Sequence, residues 1–103
     1  MELLTQIKAL ADETRLRIFN ILSRHELRVS ELVWVLEMGQ SRISRHLKIM
    51  SECGILSSRR DGLWVFYSVG GQAEPFSSAM ASLLDPRQKA FAHDLGRAEK
   101  ALQ

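Results

Sequence analysis

Apolar positions recur at helical spacing along most of the chain and alternate in one short stretch. Leu3, Leu4, Ile7, Leu10 and Ala11 follow that rhythm and predict an amphipathic helix over the first ten residues. Asp12 offers a carboxylate to backbone N–H groups one turn on, so it predicts the cap of a second helix. Leu16, Ile18, Phe19, Ile21 and Leu22 give that helix a broad apolar stripe. Residues 23–28 are polar and interrupt the pattern. Ser30 is the expected cap of a third helix through Leu36, with Leu32 and Leu36 on one face and Glu31 near its positive end. Gly39 predicts a tight turn. A fourth helix follows, roughly Gln40 to Cys53, with Ile43, Leu47 and Met50 inward.

Gly54 suits the left-handed residue that closes such a helix. Residues 55–60 and 63–69 then read as two strands around Asp61-Gly62, a strong hairpin signal. The second strand, from Leu63 to Val69, is rich in aromatic and β-branched residues. Gly70-Gly71 breaks the chain. Pro75 opens a short helix to Leu84, with Phe76, Met80, Leu83 and Leu84 apolar. Asp85-Pro86 punctuates before a last helix from about Arg87 to Leu102, striped by Phe91, Leu95, Ala98 and Leu102. The predicted fold is mainly α with one small β-hairpin, in the order α-α-α-α-β-β-α-α. Three helices, a glycine turn, a fourth helix and a basic-tipped hairpin make a winged helix-turn-helix.

Length sharpens this picture. A chain of 103 residues is a single domain, 1–103. It buries only roughly 60–68% of its unfolded surface, so pairing with a second copy is the natural remedy. A single cysteine excludes an intrachain disulfide and points to a reducing compartment. No apolar run approaches the roughly 18 residues of a membrane span, and Met1-Glu2-Leu3-Leu4-Thr5 lacks the basic start of a signal peptide. The expected location is the cytoplasm, with no membrane partner.

Charge changes the picture more. The net charge is only +2, yet positions 41–60 carry Arg42, Arg45, Lys48, Arg59 and Arg60 against Glu52 alone. A basic block on a near-neutral body is the electrostatic footprint of a nucleic-acid binder. With Ile43, Leu47 and Met50 inward, the fourth helix turns Ser41, Arg45 and Lys48 outward, flanked by Gln40, Arg42 and Ser44. Gln pairs bidentately with adenine and Arg with guanine, while Ser and Lys suit phosphates. Arg59 and Arg60 place two guanidinium groups near the hairpin tip, toward flanking backbone or minor groove. The candidate DNA-binding residues are Gln40, Ser41, Arg42, Ser44, Arg45, Lys48, Arg59 and Arg60, and double-stranded DNA is the expected partner.

These residues resemble the ArsR/SmtB family of bacterial winged-helix repressors. The likeness runs from Leu10-Ala11-Asp12-Glu13-Thr14-Arg15-Leu16-Arg17-Ile18, through Glu26–Leu32 and Gln40-Ser41-Arg42-Ile43-Ser44-Arg45-His46-Leu47-Lys48, to Gly54-Ile55-Leu56 and Arg59–Tyr67. Glu13 stands where the family usually has proline. The resemblance implies a homodimer built from residues 1–11 and 75–102. It implies an inverted-repeat operator read by Gln40, Ser41, Ser44 and Arg45, and repression of transcription. Many members carry histidine where Arg45 stands. Members typically release DNA on binding an inducer, often a thiophilic or transition metal.

No metal site and no cofactor are expected here. Arg28 and Ser30 occupy the two cysteine positions of the arsenic-type site, and arginine cannot ligate a cation. The zinc-type site finds only His93 and Asp94 on the last helix, short of four ligands. An inter-subunit site built from His93 and Asp94 is the surviving metal alternative, and the inducer is unknown. His25, His46 and Cys53 read as a solvated loop residue, a structural hydrogen-bonding residue and a small buried hydrophobe. Trp34 departs from the family's usual polar residue. It reads as packing on a neighbouring helix, with a winged-helix protein-interaction module as the alternative. An enzyme is not expected: there is no Gly-rich phosphate loop or nucleophile elbow, and Cys53 and His46 lie about 10 Å apart along one helix.

Overall fold

The computed structural model describes residues 2–102; Met1 and Gln103, which begin and end the expected domain, lie outside them. Four helices lead: α1 (Glu2–Leu10), α2 (Glu13–Leu22), α3 (Val29–Leu36) and α4 (Gln40–Glu52). A hairpin follows, β1 (Leu56–Asp61) and β2 (Trp64–Val69), then a single 3₁₀ turn at Gly71–Ala73. Two helices close the chain, α5 (Phe76–Leu83) and α6 (Lys89–Ala101). This is the winged helix-turn-helix that the periodicity predicts.

The core lies where α2, α3 and α4 meet the base of the hairpin. Ile18, Phe19 and Ile21 of α2, Leu32 of α3, and Ile43, Leu47 and Met50 of α4 are buried together with Leu27 and Ile55. Removing each such side chain from water is worth about 1.5–3 kcal/mol, so the apolar stripes decide how the helices rotate. Asp12 caps α2 as expected, its Oδ1 accepting the Arg15 N–H at 3.0 Å. That hydrogen bond holds the Asp12 carboxyl below the usual carboxylate range. Glu52 ends α4, one residue earlier than expected, Cys53 caps it, and Gly54 takes φ +81. Ile55 N–H then reaches the Met50 carbonyl at 3.0 Å and Gly54 N–H the Ser51 carbonyl at 3.1 Å. This paired closure satisfies two orphan carbonyls and delivers Ile55 into the core.

Several details differ from expectation. The cap of α3 is Arg28 rather than Ser30, and Glu31 reaches back to accept the Arg28 N–H at 2.8 Å. A glutamate one turn into a helix satisfies the cap residue's own N–H, the reciprocal half of a capping box. The left-handed residue between α3 and α4 is Glu37 (φ 56), while Gly39 is extended and caps α4. The hairpin pairs Asp61 with Trp64, so its two-residue turn is Gly62-Leu63, with Gly62 at φ +64. Glycine belongs at that first central position, where a side chain is strained. The last helix starts at Lys89 rather than Arg87.

The first and last helices hold the larger surprise. In α1 it is Gln6, Ala9 and Leu10 that are buried, while Leu3, Leu4 and Ile7 stand about half exposed and Ala11 lies outside the helix. In α6 the buried positions are Phe91, Asp94 and Ala98, and Leu102 is half exposed. Asp94 is fully buried against α2. It accepts Arg17 Nε at 2.9 Å and Nη2 at 2.8 Å in a bidentate pair, which raises the Arg17 pKa further. Arg97, one turn on, donates Nε to the Val35 carbonyl at 2.9 Å and Nη2 to the Trp34 carbonyl. It thereby satisfies carbonyls at the end of α3 that the helix itself leaves open.

Candidate nucleic-acid interface

Three buried residues of α4 fix what the helix shows to solvent. Ile43 and Met50 are fully buried and Leu47 is 2% exposed. At 100° per residue, the face opposite them carries Ser41, Arg45 and Lys48, with Ser44 on its flank and Gln40 in the first turn, nearer the buried side. All five are exposed. Lys48 makes only a loose, exposed contact with Glu52 at 4.0 Å. The structure therefore leaves five of the expected contact residues open to solvent on one helix, three of them opposite the buried stripe.

Arg42 does not join that face directly. It is exposed but turns toward α2, where its Nη2 approaches the Thr14 hydroxyl at 3.5 Å. His46 occupies the same flank. Its Nδ1 sits 3.1 Å from Arg15 Nη1, so it is the structural hydrogen-bonding residue expected of it. Burial lowers the His46 pKa, with Arg15, Arg42 and Arg45 adding to the effect against the opposing pull of Asp12.

The hairpin separates two arginines that the sequence pairs at its tip. Strand alternation sends them to opposite faces. Arg59 folds back onto Glu26, with Nε at 2.9 Å from both carboxylate oxygens and Nη2 at 2.7 Å from Oε1. Its guanidinium also lies 4.6 Å from the Phe66 ring centre. Arg60 is exposed and has no acidic partner among the described residues. The picture of two free guanidinium groups at the end of an arm is thus corrected: Arg60 is free and Arg59 is tied. The residue at the turn itself is Leu63, 94% exposed.

A contact that the sequence did not disclose joins the wing to the helix-turn-helix. Leu27 and Tyr67 exchange backbone hydrogen bonds at 3.1 and 2.8 Å, adding one rung beside β2. This sets Glu26 and Arg28 on the face that carries Trp64 and Phe66. Arg28 lies 4.2 Å from the Trp64 ring centre and its Nε is 3.5 Å from Glu31. At the position compared above with a metal-binding cysteine, this chain therefore places a wing fastener.

Other candidate residues are also accounted for. Asp94 is committed to Arg17, and His93, largely exposed, sits 4.0 Å from it. Recruiting that pair to a metal would strand Arg17. Among the described residues, no three His, Cys, Asp or Glu side chains gather as metal ligands. Trp34 is half exposed, with Arg97 of α6 lying 4.1 Å over its ring, so it does pack on a neighbouring helix. Cys53 is half buried and its Sγ points to the Met50 carbonyl at 3.5 Å.

Residues 12–58 match the family described as bacterial regulatory protein, arsR family. A curated relative, the arsenic resistance transcriptional regulator ArsR1 of Pseudomonas putida, is 40% identical over 89 residues, covering 84% of this chain and 70% of its own. The chain belongs to the arsR family of bacterial regulatory proteins. Its fold agrees with solved relatives. The transcriptional repressor BigR of Xylella fastidiosa superposes with a TM-score of 0.73 at 27% identity, over 85% of this chain and 88% of that one. A homodimeric winged helix-turn-helix DNA-binding domain from Mycobacterium bovis gives 0.72 at 26% identity, over 80% and 74%. The matched stretch covers only about half the length of two further curated relatives. No helix of this ArsR-family chain, among the described residues, is long and apolar enough to cross a membrane.

Proposed function

We propose that this ArsR-family protein is a cytoplasmic, sequence-specific DNA-binding regulator that binds an inverted-repeat operator as a homodimer and represses transcription. One observation carries the reading: α4 exposes Ser41, Arg45 and Lys48 opposite a buried stripe, with Ser44 on the flank and Gln40 exposed in the first turn. A helix of this kind fits the major groove, with its N-terminal side chains at base edges. Arg60 reaches the flanking backbone, and Arg42 and Arg59 contribute mainly by holding their elements in place. Repression is supported by the naming of BigR as a repressor.

The dimer reading is supported by the half-exposed Leu3, Leu4 and Ile7 of α1. An apolar groove of about 470 Å³ beside them is lined by Leu3, Gln6, Pro75, Phe76 and Ala79. Most of its walls belong to residues 1–11 and 75–102, the segments expected to pair, with Gln72 and Glu74 completing them. Isolated monomers rarely leave such a patch uncovered. The role is regulatory rather than enzymatic. His46 and Cys53 are engaged in holding α4 and do not form a reactive pair.

The test is a fluorescence-anisotropy titration against a duplex recovered by random-sequence selection, at two salt concentrations, alongside sedimentation. Tight, selective and salt-sensitive binding by a dimer is expected. Binding that is equal for all duplexes refutes the reading. Leu3→Gln with Ile7→Gln should shift the protein toward monomer; an unchanged sedimentation coefficient removes α1 from the interface.

A further inference from the structure

Arg15 is shared among three helices. Its backbone N–H is bound by Asp12 at the start of α2. Its side-chain Nε donates to the Ala9 carbonyl in the last turn of α1. Its Nη1 meets His46 Nδ1 of α4 at 3.1 Å. A guanidinium only donates hydrogen bonds, so His46 Nδ1 is the acceptor and the imidazole is neutral, with its proton on Nε2. One rigid, planar fork thus spans from the end of α1 to the flank of α4. Nothing looser does the same, because a lysine has a single charged head.

The position gives this bridge a purpose. α1 carries the apolar face assigned above to the second copy, and α4 carries the face assigned to DNA. Two reading helices must sit about 34 Å apart to meet successive major grooves. We propose that Arg15 and His46 are positioning residues, which set the rotation of α4 against α1 and release it when His46 gains a proton. The proposal rests on the DNA-binding reading of α4.

The chemistry of release is simple. Protonation turns Nδ1 from acceptor into donor, so the 3.1 Å contact becomes donor against donor between two cations. Arg42 and Arg45 on α4 add to the repulsion, and Asp12 is the carboxylate that opposes it. Lys8 of α1 lines the same cleft as Arg15, next to Ile49 and Cys53. Because burial already disfavours the charged imidazole, protonation falls below its ordinary value of 6.5. DNA phosphates pull the other way, since any protonation strengthens non-specific attachment. The two effects separate when a variant keeps the acceptor and cannot be charged.

His46→Asn is that variant, because its Oδ1 stands where Nδ1 stands. Arg15→Lys keeps the charge and loses the fork. Anisotropy with the selected duplex at constant salt, from pH 7.5 to 5.5, is the measurement. At pH 7.5 His46→Asn should bind within about twofold of the parent, and Arg15→Lys should bind roughly three- to tenfold more weakly. Toward pH 5.5 the parent should lose at least about threefold relative to His46→Asn. Parallel pH profiles for the parent and His46→Asn, or parental affinity in Arg15→Lys, overturn the proposal. A DNA-independent measurement separates this failure from failure of the function itself. Imidazole ¹⁵N shifts of the parent should report an unprotonated Nδ1 at pH 7.5; a proton on Nδ1 overturns the joint even if no duplex is bound.

Discussion

Arg17→Met isolates the most buried charged side chain among the described residues. Asp94 is fully buried, and Arg17 is its bidentate partner, about a fifth exposed. Methionine keeps much of the stem that packs between α2 and α6 but removes both donors. An uncompensated buried charge costs about 3–5 kcal/mol. The outer edge of Arg17 reaches solvent, so water can partly solvate the abandoned carboxylate, and the expected loss is at the low end, about 3 kcal/mol. With a urea slope of about 1.5 kcal/mol/M, the unfolding midpoint should fall by about 2 M. Protein concentration is held fixed, because a dimer's stability depends on it. Asp94→Asn alone should cost less, about 1–2 kcal/mol, since Arg17 can turn to water. The double variant should recover about 2 kcal/mol of the summed losses, the signature of a direct contact. A loss under about 1 kcal/mol for Arg17→Met, or strict additivity in the double variant, refutes the buried-pair argument.

Three further outcomes are expected. Gln40→Ala and Arg45→Ala should each relax base preference by about 1–3 kcal/mol, read by competition between the selected duplex and single-base variants; an unchanged preference takes that residue out of base readout. Arg60→Ala should reduce the slope of log affinity against log salt by about one, whereas Arg59→Ala should weaken binding through a loosened wing, visible as faster hydrogen exchange in β1. Asp12→Ala should cost about 1 kcal/mol at neutral pH in urea unfolding. The folded-state pKa of Asp12 is lowered, so its contribution is complete above the unfolded value near 4 and disappears as pH falls through the lower folded value; the parent and Asp12→Ala should therefore converge in stability at the acid end.

The elements were legible because each is announced locally. Asp12, Gly54 and Gly62 punctuate the chain by backbone chemistry that acts over three or four residues, and the α4 stripe of Ile43, Leu47 and Met50 needs only the 3.6-residue period. That stripe made the DNA-facing set readable as well, since a helix with one face buried has its opposite face defined. The period also assigned Leu3, Leu4 and Ile7 to an apolar face, but it could not say that this face stays open while Gln6 is buried in its place. Which side of α1 meets its own chain depends on α2 and α4, and no rhythm within nine residues carries that. The start of α3 likewise moved from Ser30 to Arg28, where Glu31 could reach back to the Arg28 N–H, a choice made by geometry.

What the sequence concealed is chiefly the work of arginine. Arg17 reaches across 77 positions to Asp94, Arg97 across 62 to Val35, and Arg15 across 31 to His46. Arg59 is held by Glu26 and Arg28 by Glu31 and Trp64. Each tie joins two elements whose apolar faces alone would leave their relative rotation loose, since hydrophobic contact is non-directional and a guanidinium fork is not. This division explains why a chain of net charge +2 still presents a cationic reading surface. The arginines of α2 and α6 named here, and Arg28 at the cap of α3, are matched by carboxylates, carbonyls or rings in the body of the fold. Arg45, Lys48 and Arg60 project from α4 and the wing without a close acidic partner, apart from the loose contact of Lys48 with Glu52. The positive field is therefore set less by how many basic residues the chain has than by which of them the fold leaves unmatched.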